Sequence, residues 1–292
     1  MLSSQTFFAS LFAFAALTGA SPSNRAKRQS IRPLSVSQIN AFTPFTHFAS
    51  TAYCNPSKTL NWTCGANCKA NSDFIPVASG GDGSSTQFWY VGYSPSQETV
   101  VLAHQGTDFS HVETIVTNTD IVLTNLNPSL FPGVPSSVEA HNGAATQILS
   151  AVQTAISRHS ATKVTIVGHS LGGAIALLDG IYLPLHISGV TFRTIAYGCP
   201  RVGNQAFANY VDSHIDFTHI NNKKDPVPIL PGRFLGYVGT SGEVHISESN
   251  SWLACPGQDN PSTQCSTGDV PNILEGNTGD HDGPYNGVMM DC

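Results

Sequence analysis

Lys163-Val164-Thr165-Ile166-Val167-Gly168-His169-Ser170-Leu171-Gly172-Gly173-Ala174-Ile175-Ala176-Leu177-Leu178 joins a β-branched run to an Ala/Leu-rich segment through a serine framed by glycines. Val164 to Val167 suit a buried parallel strand, whereas Leu171, Ala174, Ile175 and Leu178 recur at helical spacing, so the hydrophobic period changes at Ser170. The stretch reads strand, sharp turn, helix. Glycines two residues to either side allow strand and helix to pack without Cβ collisions, and a serine on so strained a turn has its hydroxyl aimed outward. The Leu171 N–H, at the start of the helix and without an intrahelical partner, can point at a developing oxyanion. A Gly-x-Ser-x-Gly also arises by chance in a chain rich in both residues; its placement between strand and helix is what gives it chemical weight.

The chain around this element has 292 residues, of which only 11% are charged, with 26 glycines and 18 prolines. This suits a loop-rich globule of one large α/β domain, spanning residues 29–292, and no internal repeat is visible. Phe7 to Leu17 form a short apolar run ending at Thr18-Gly19-Ala20, which reads as a signal peptide over 1–20 rather than a membrane span. A basic stretch follows to Lys27-Arg28 and reads as a propeptide over 21–28 with a dibasic cut; the alternative is a basic linker that stays attached. Loss of residues 1–28 strips three cations and no acid, taking the net charge from −6 to −9. An acidic surface without a Lys/Arg cluster argues against nucleic acid and against charge-driven adhesion to anionic lipid.

Seven cysteines fit an oxidising compartment, and none shows the spacing of a zinc site. The expected pairs are Cys64 with Cys68, Cys255 with Cys265, and Cys54 with Cys292. Cys199 is left over, either as a buried free thiol or as a reactive one with Arg201 nearby. Asn61-Trp62-Thr63 is an acceptor sequon, so Asn61 is expected to carry a glycan.

Before the central stretch, Val36 to Ser50 has apolar residues at helical spacing, broken by Pro44. Phe88 to Tyr93 and Val100 to His104 read as a hairpin joined through Ser94-Pro95-Ser96-Gln97. Between about 107 and 120, Phe109, Val112, Ile115 and Val116 recur at offsets of three and four, the pattern of a short amphipathic helix. Such a stripe packs on the core or acts as a lid that turns outward at a lipid surface. Val138 to Arg158 is the longest helical pattern, and strands follow at Thr191 to Tyr197 and Asp216 to Asn221. Strand, helix, strand, helix is the rhythm of a mostly parallel central sheet flanked by helices, with ligands beyond the strand C-termini.

A serine nucleophile needs a base, and the base needs an acid that holds its tautomer. Asp225 follows a strand in a proline-stiffened loop; Asp212 and Asp216 precede that strand, and an ion pair with Lys223 or Lys224 is the plain alternative for Asp225. His281 lies late, in a flexible loop able to reach back over the sheet. His245 is its rival, although an alternating strand suits a structural histidine better, while His169, His214 and His219 precede the acid. The second oxyanion donor is expected after Val100 to His104, at Thr107, with Gly106 allowing the tight turn.

His104-Gln105-Gly106-Thr107, Gly168-His169-Ser170-Leu171-Gly172-Gly173, Tyr197-Gly198-Cys199-Pro200-Arg201-Val202-Gly203, Asp225-Pro226-Val227-Pro228 and the late His281, in that order, resemble the class 3 lipase family of secreted fungal lipases. The resemblance implies an α/β-hydrolase fold and hydrolysis of acylglycerol esters. It implies Ser170, Asp225 and His281 as triad, Thr107 and Leu171 as oxyanion donors, a lid after Thr107, and Asp120 orienting the donor hydroxyl. Gln105 departs from the Arg of many relatives, and the aromatic lid anchor, often Trp, is missing unless Phe109 substitutes for it. The expected partner is an acylglycerol at a lipid–water interface, met by a secreted monomer without transmembrane anchor, metal or organic cofactor. A feruloyl or other aryl esterase on the same scaffold, or a catalytically silent lipid-binding or cell-wall protein, are the competing readings.

Overall fold

The computed structural model describes residues 30–107, 123, 126–134 and 144–292. The expected signal peptide and propeptide, the lid residues Phe109, Val112, Ile115 and Val116, and Asp120 lie outside the described residues.

The β-branched run forms β5 (Lys163–His169), and its neighbours are β4 (Thr99–His104) and β6 (Thr191–Tyr197). With β7 (Phe217–Asn222) and β8 (Glu243–Ile246) these five strands pair in parallel. Antiparallel strands extend both edges: β3 (Trp89–Ser94) and β2 (Ile75–Gly80) beside β4, β9 (Trp252–Cys255) and β1 (Arg32–Pro33) beside β8. The sheet thus runs β1-β9-β8-β7-β6-β5-β4-β3-β2. Short β1 and β9, and the longer β2, carry no clear period in the sequence.

Both faces of the centre are dry, which is why β5 reads as an apolar run instead of alternating. Val100, Leu102, Val164 and Ile166 face one core, and Val101, Ala103 and Val167 the other. The first face is covered by α5 (Ala145–His159), α6 (Leu171–His186) and α7 (Gln205–His214), through residues such as Ile148, Val152, Leu177, Ile181, Phe207 and Val211. Each fully buried Val, Leu or Ile here contributes about 1.5–3 kcal/mol. The helix expected from Val138 is described only from Ala145, and Ser160 at φ 49° ends it.

On the second face Pro44 does not break one helix but starts another. It sits in the first turn of α2 (Thr43–Thr51), following α1 (Val36–Asn40) and preceding the short α3 (Pro56–Asn61) and α4 (Ala66–Ala70), where a missing N–H costs nothing. Phe45 and Phe48 of α2 are buried there, and the Tyr90 hydroxyl donates to the Phe48 carbonyl at 2.7 Å.

Disulfides join Cys54 to Cys292, Cys64 to Cys68 and Cys255 to Cys265. Cys199 is free and buried, and burial pushes its thiol up, which removes the thiolate a reactive cysteine needs. Its neighbour Arg201 is engaged elsewhere. The guanidinium pairs with Asp259 at 2.7 Å and donates to the carbonyls of Ile229 and Pro231, so it secures the loop that follows Asp225. No helix of the described residues is long and apolar enough to cross a membrane.

Candidate active site

Ser170 adopts φ 56°, ψ −128°, a conformation costly for any residue with a Cβ, between β5 and α6. The packing around it shows why glycines stand at 168 and 172. A Cβ on Gly168 would lie 2.0 Å from the Gly172 carbonyl oxygen, and one on Gly172 would lie 2.4 Å from the His104 carbonyl oxygen. The start of α6 is therefore pressed against the ends of β4 and β5, and the Ser170 N–H bonds the Tyr197 carbonyl at 2.9 Å. Behind it, His104 Nε2 and Asp179 Oδ2 meet at 2.8 Å in the interior, tying α6 to the end of β4.

Asp225 and His281 meet across 56 residues of chain: His281 Nδ1 lies 2.8 Å from Asp225 Oδ2, with the two side chains 0% and 1% exposed. The other carboxylate oxygen accepts from the Val227 N–H at 2.8 Å. Lys224, the alternative partner for this acid, pairs with Asp269 at 2.7 Å instead. The segment before His281, expected to be flexible, is stitched to the acid's loop. Asn277 N–H donates to the Lys224 carbonyl at 2.7 Å, and the Asn222 side chain donates to the Asp280 carbonyl at 2.9 Å. Gly198, at φ 51°, leaves the room the pair needs, since a Cβ there would come within 2.9 Å of both Asp225 Oδ2 and His281 Nδ1.

His245 has no such opening. Both of its ring nitrogens face backbone carbonyls, of Gln264 at 2.8 Å and Lys223 at 3.0 Å, which makes it a buried strut between two loops.

Ser170 joins the cluster through its chain neighbour, the His169 ring packing on the His281 ring with centroids 4.4 Å apart. Ser170 Oγ and His281 Nε2 are both buried and have no hydrogen-bond partner among the described residues. Two orphan polar atoms in one dry site mark where a reacting group would be received, and catalytic hydrogen bonds commonly tighten only when substrate is present. Thr107 follows Gly106, where a Cβ would sit 2.4 Å from the Tyr53 hydroxyl and 3.0 Å from Ser170 Cβ. The chain thus passes directly over the serine before reaching Thr107. Gln105 holds that loop by a reciprocal pair with Phe88: its N–H donates to the Phe88 carbonyl at 2.9 Å, and its side-chain oxygen accepts from the Phe88 N–H at 3.0 Å. Leu171, the first residue of α6, is half-buried beside them.

Sequence order set His169 aside, yet it lies inside the site with Tyr53 and Tyr285. The signals were present in Gly-His-Ser and in Gly279-Asp280-His281-Asp282-Gly283-Pro284-Tyr285, but nothing in either says what the side chain touches. Burial, with His281 as the second cause, holds His169 well below the ordinary histidine value of 6.5. The unfolded chain would therefore bind a proton below about pH 6.5 that the folded chain refuses, so the stability due to this residue is full above that pH and is lost on acidification. His169→Gln should accordingly show a smaller fall in urea midpoint between about pH 7 and about pH 5 than the parent protein.

Among the described residues Glu243, Cys255 and Cys265 are close enough to hold an ion, but the two cysteines are joined to each other, leaving one carboxylate.

The model of the class 3 lipase family matches residues 101–235. A secreted mono- and diacylglycerol lipase of Malassezia globosa is 31% identical over 294 residues, covering 93% of this chain and 90% of the relative. Among solved structures, a lipase from Rhizopus microsporus var. chinensis superposes with a TM-score of 0.76 at 28% identity, over 92% of this chain and 94% of that one. A triacylglycerol lipase whose catalytic centre is described as a serine protease triad gives 0.75 at 26% identity, over 89% and 98%.

Proposed function

Because the chain belongs to the class 3 lipase family, we propose that it is a secreted esterase that hydrolyses acylglycerol ester bonds, with Ser170 as nucleophile, His281 as base and Asp225 as its acid. The observation carrying this reading is the buried 2.8 Å contact between His281 and Asp225, beside a strained serine whose hydroxyl has no partner among the described residues.

Ser170 Oγ attacks the ester carbonyl carbon while His281 Nε2 takes its proton. The negative oxygen that develops is received by the Leu171 N–H and by Thr107. On collapse His281 returns the proton to the departing alcohol, and Asp225 steadies the imidazolium through Nδ1. Water activated by the same histidine then releases the fatty acid. The exposed side chains favour a substrate presented from lipid. Phe234 and Leu274 are 88% and 96% exposed, on the loops that follow Asp225 and precede His281. Water contact at such large apolar groups is relieved at an oil surface. The protein works as a secreted monomer in this reading, with a glycan on the exposed Asn61.

A serine-directed phosphonate that labels Ser170, together with faster hydrolysis of tributyrin than of methyl ferulate, supports the proposal. Preference for methyl ferulate would make it an aryl esterase, and absence of labelling would leave only a binding protein. Thr107→Val is expected to lower kcat by about 10²- to 10³-fold, on the order of 3 kcal/mol in the barrier, with KM little changed. A raised KM at unchanged kcat would place Thr107 in ground-state binding instead.

A further inference from the structure

Two polar contacts in the site serve no step of the mechanism above. His169 Nε2 lies 2.9 Å from the backbone carbonyl oxygen of His281, and the Tyr53 hydroxyl lies 2.6 Å from His169 Nδ1. A carbonyl can only accept, so Nε2 must carry the hydrogen. A buried ring kept neutral has one proton, which leaves Nδ1 as the acceptor and Tyr53 as its donor. The chain of donation is therefore directional: Tyr53 O–H to His169 Nδ1, then His169 Nε2–H to the His281 carbonyl. Tyr285 donates to the same carbonyl at 2.9 Å.

We propose that Tyr53 and His169 form a positioning relay that sets the backbone of His281, and hence the aim of its ring, relative to Ser170. The assignment rests on the triad reading above, in which His281 is the base. Asp225 fixes the ring only at Nδ1, which still allows the imidazole to swing about that contact. A second grip on the His281 carbonyl removes this freedom, and because His169 is the residue next to Ser170, it refers the base directly to the nucleophile. The neutral ring matters for a further reason. During turnover His281 becomes cationic, and a second cation with its ring centre 4.4 Å away would oppose that charge. The tautomer that makes His169 a donor toward His281 is the one that lets Tyr53 hold it.

Two readouts decide this. In ¹⁵N-histidine NMR of the full chain, His169 should show the Nε2–H tautomer. Tyr53→Phe, which removes one oxygen, should move the Nδ1 resonance toward that of a nitrogen without a hydrogen bond. In kinetics on a soluble p-nitrophenyl ester, normalised to phosphonate-titrated Ser170, Tyr53→Phe should lower kcat about tenfold and His169→Leu about a hundredfold, with KM within about twofold of the parent. His169→Gln, whose amide nitrogen reaches the place of Nε2, should recover most of that loss. The relay is overturned if His169 carries its proton on Nδ1, if the lost rate is fully accounted for by lost titratable sites, or if Gln is no better than Leu. Failure of wild-type Ser170 to take up phosphonate would refute the nucleophile assignment instead, and the tautomer would still decide the relay.

Discussion

Asp225→Asn is expected to lower kcat on a soluble short-chain ester by about 10⁴-fold, with KM within a few-fold, because the site offers an amide no good orientation. Both carboxylate oxygens of Asp225 accept, one from the Val227 N–H and one from His281 Nδ1, each at 2.8 Å. An Asn side chain has one acceptor. Turned to satisfy Val227, it presents N–H₂ to the ring and drives the proton to Nε2, where the imidazole can no longer take one from Ser170. Turned to satisfy the ring, it sets two N–H groups against each other in a dry pocket, at a cost of about 1–3 kcal/mol. Steady-state rates normalised to phosphonate-titrated sites give the measurement. A loss under tenfold would show that His281 does not depend on Asp225 for its tautomer, and the acid would have to be sought elsewhere.

The second large effect is on folding. Cys54 and Cys292 are 238 residues apart in sequence, so their bond closes nearly the whole described chain into one loop. Chain-entropy arguments assign a loop of this length about 5 kcal/mol. Cys54→Ala with Cys292→Ala should therefore remove a large part of the total stability, read as a fall in urea midpoint with a steeper slope, because the unfolded chain without its crosslink exposes more surface. The bond also bears on the site. Ser50 Oγ, in α2, lies 2.7 Å from the carbonyl oxygens of both Met289 and Asp291 and shares its one hydrogen between them, so the tail behind His281 and Tyr285 is held by a hydrogen bond as well as by the disulfide. The reduced form should lose activity at lower urea than it loses helix signal. Coincident loss of both would mean that the tail does not open separately.

Of the fold, the segments with a strong local period were legible. The strand, elbow and helix around Ser170, the hairpin of β3 and β4, and β6 and β7 each have enough apolar residues at one spacing to reveal themselves. Pro44 misled because a proline signals both a break and a start, and only the turn before it tells which. Strands β1, β2 and β9 were missed because pairing, not composition, makes them strands. In the site, chain order was enough to nominate Asp225 and His281, and it was also what turned attention from His169. Order rules nominate residues for the steps of a reaction. They carry no information about which residues hold the reacting ones in place.

The linear chain by itself determined the elbow, since its geometry is a property of consecutive residues: the change of period at Ser170 and the glycines at 168 and 172 act over a few ångströms of backbone. Tertiary structure alone decided that His281 reaches Asp225 across 56 residues and His169 across 112, and that Tyr53 closes the set. Contacts at those separations depend on where the sheet ends, how loops 222–225 and 277–280 are stitched, and what burial does to the His169 ring. Those are sums over many weak interactions that no short stretch of residues contains.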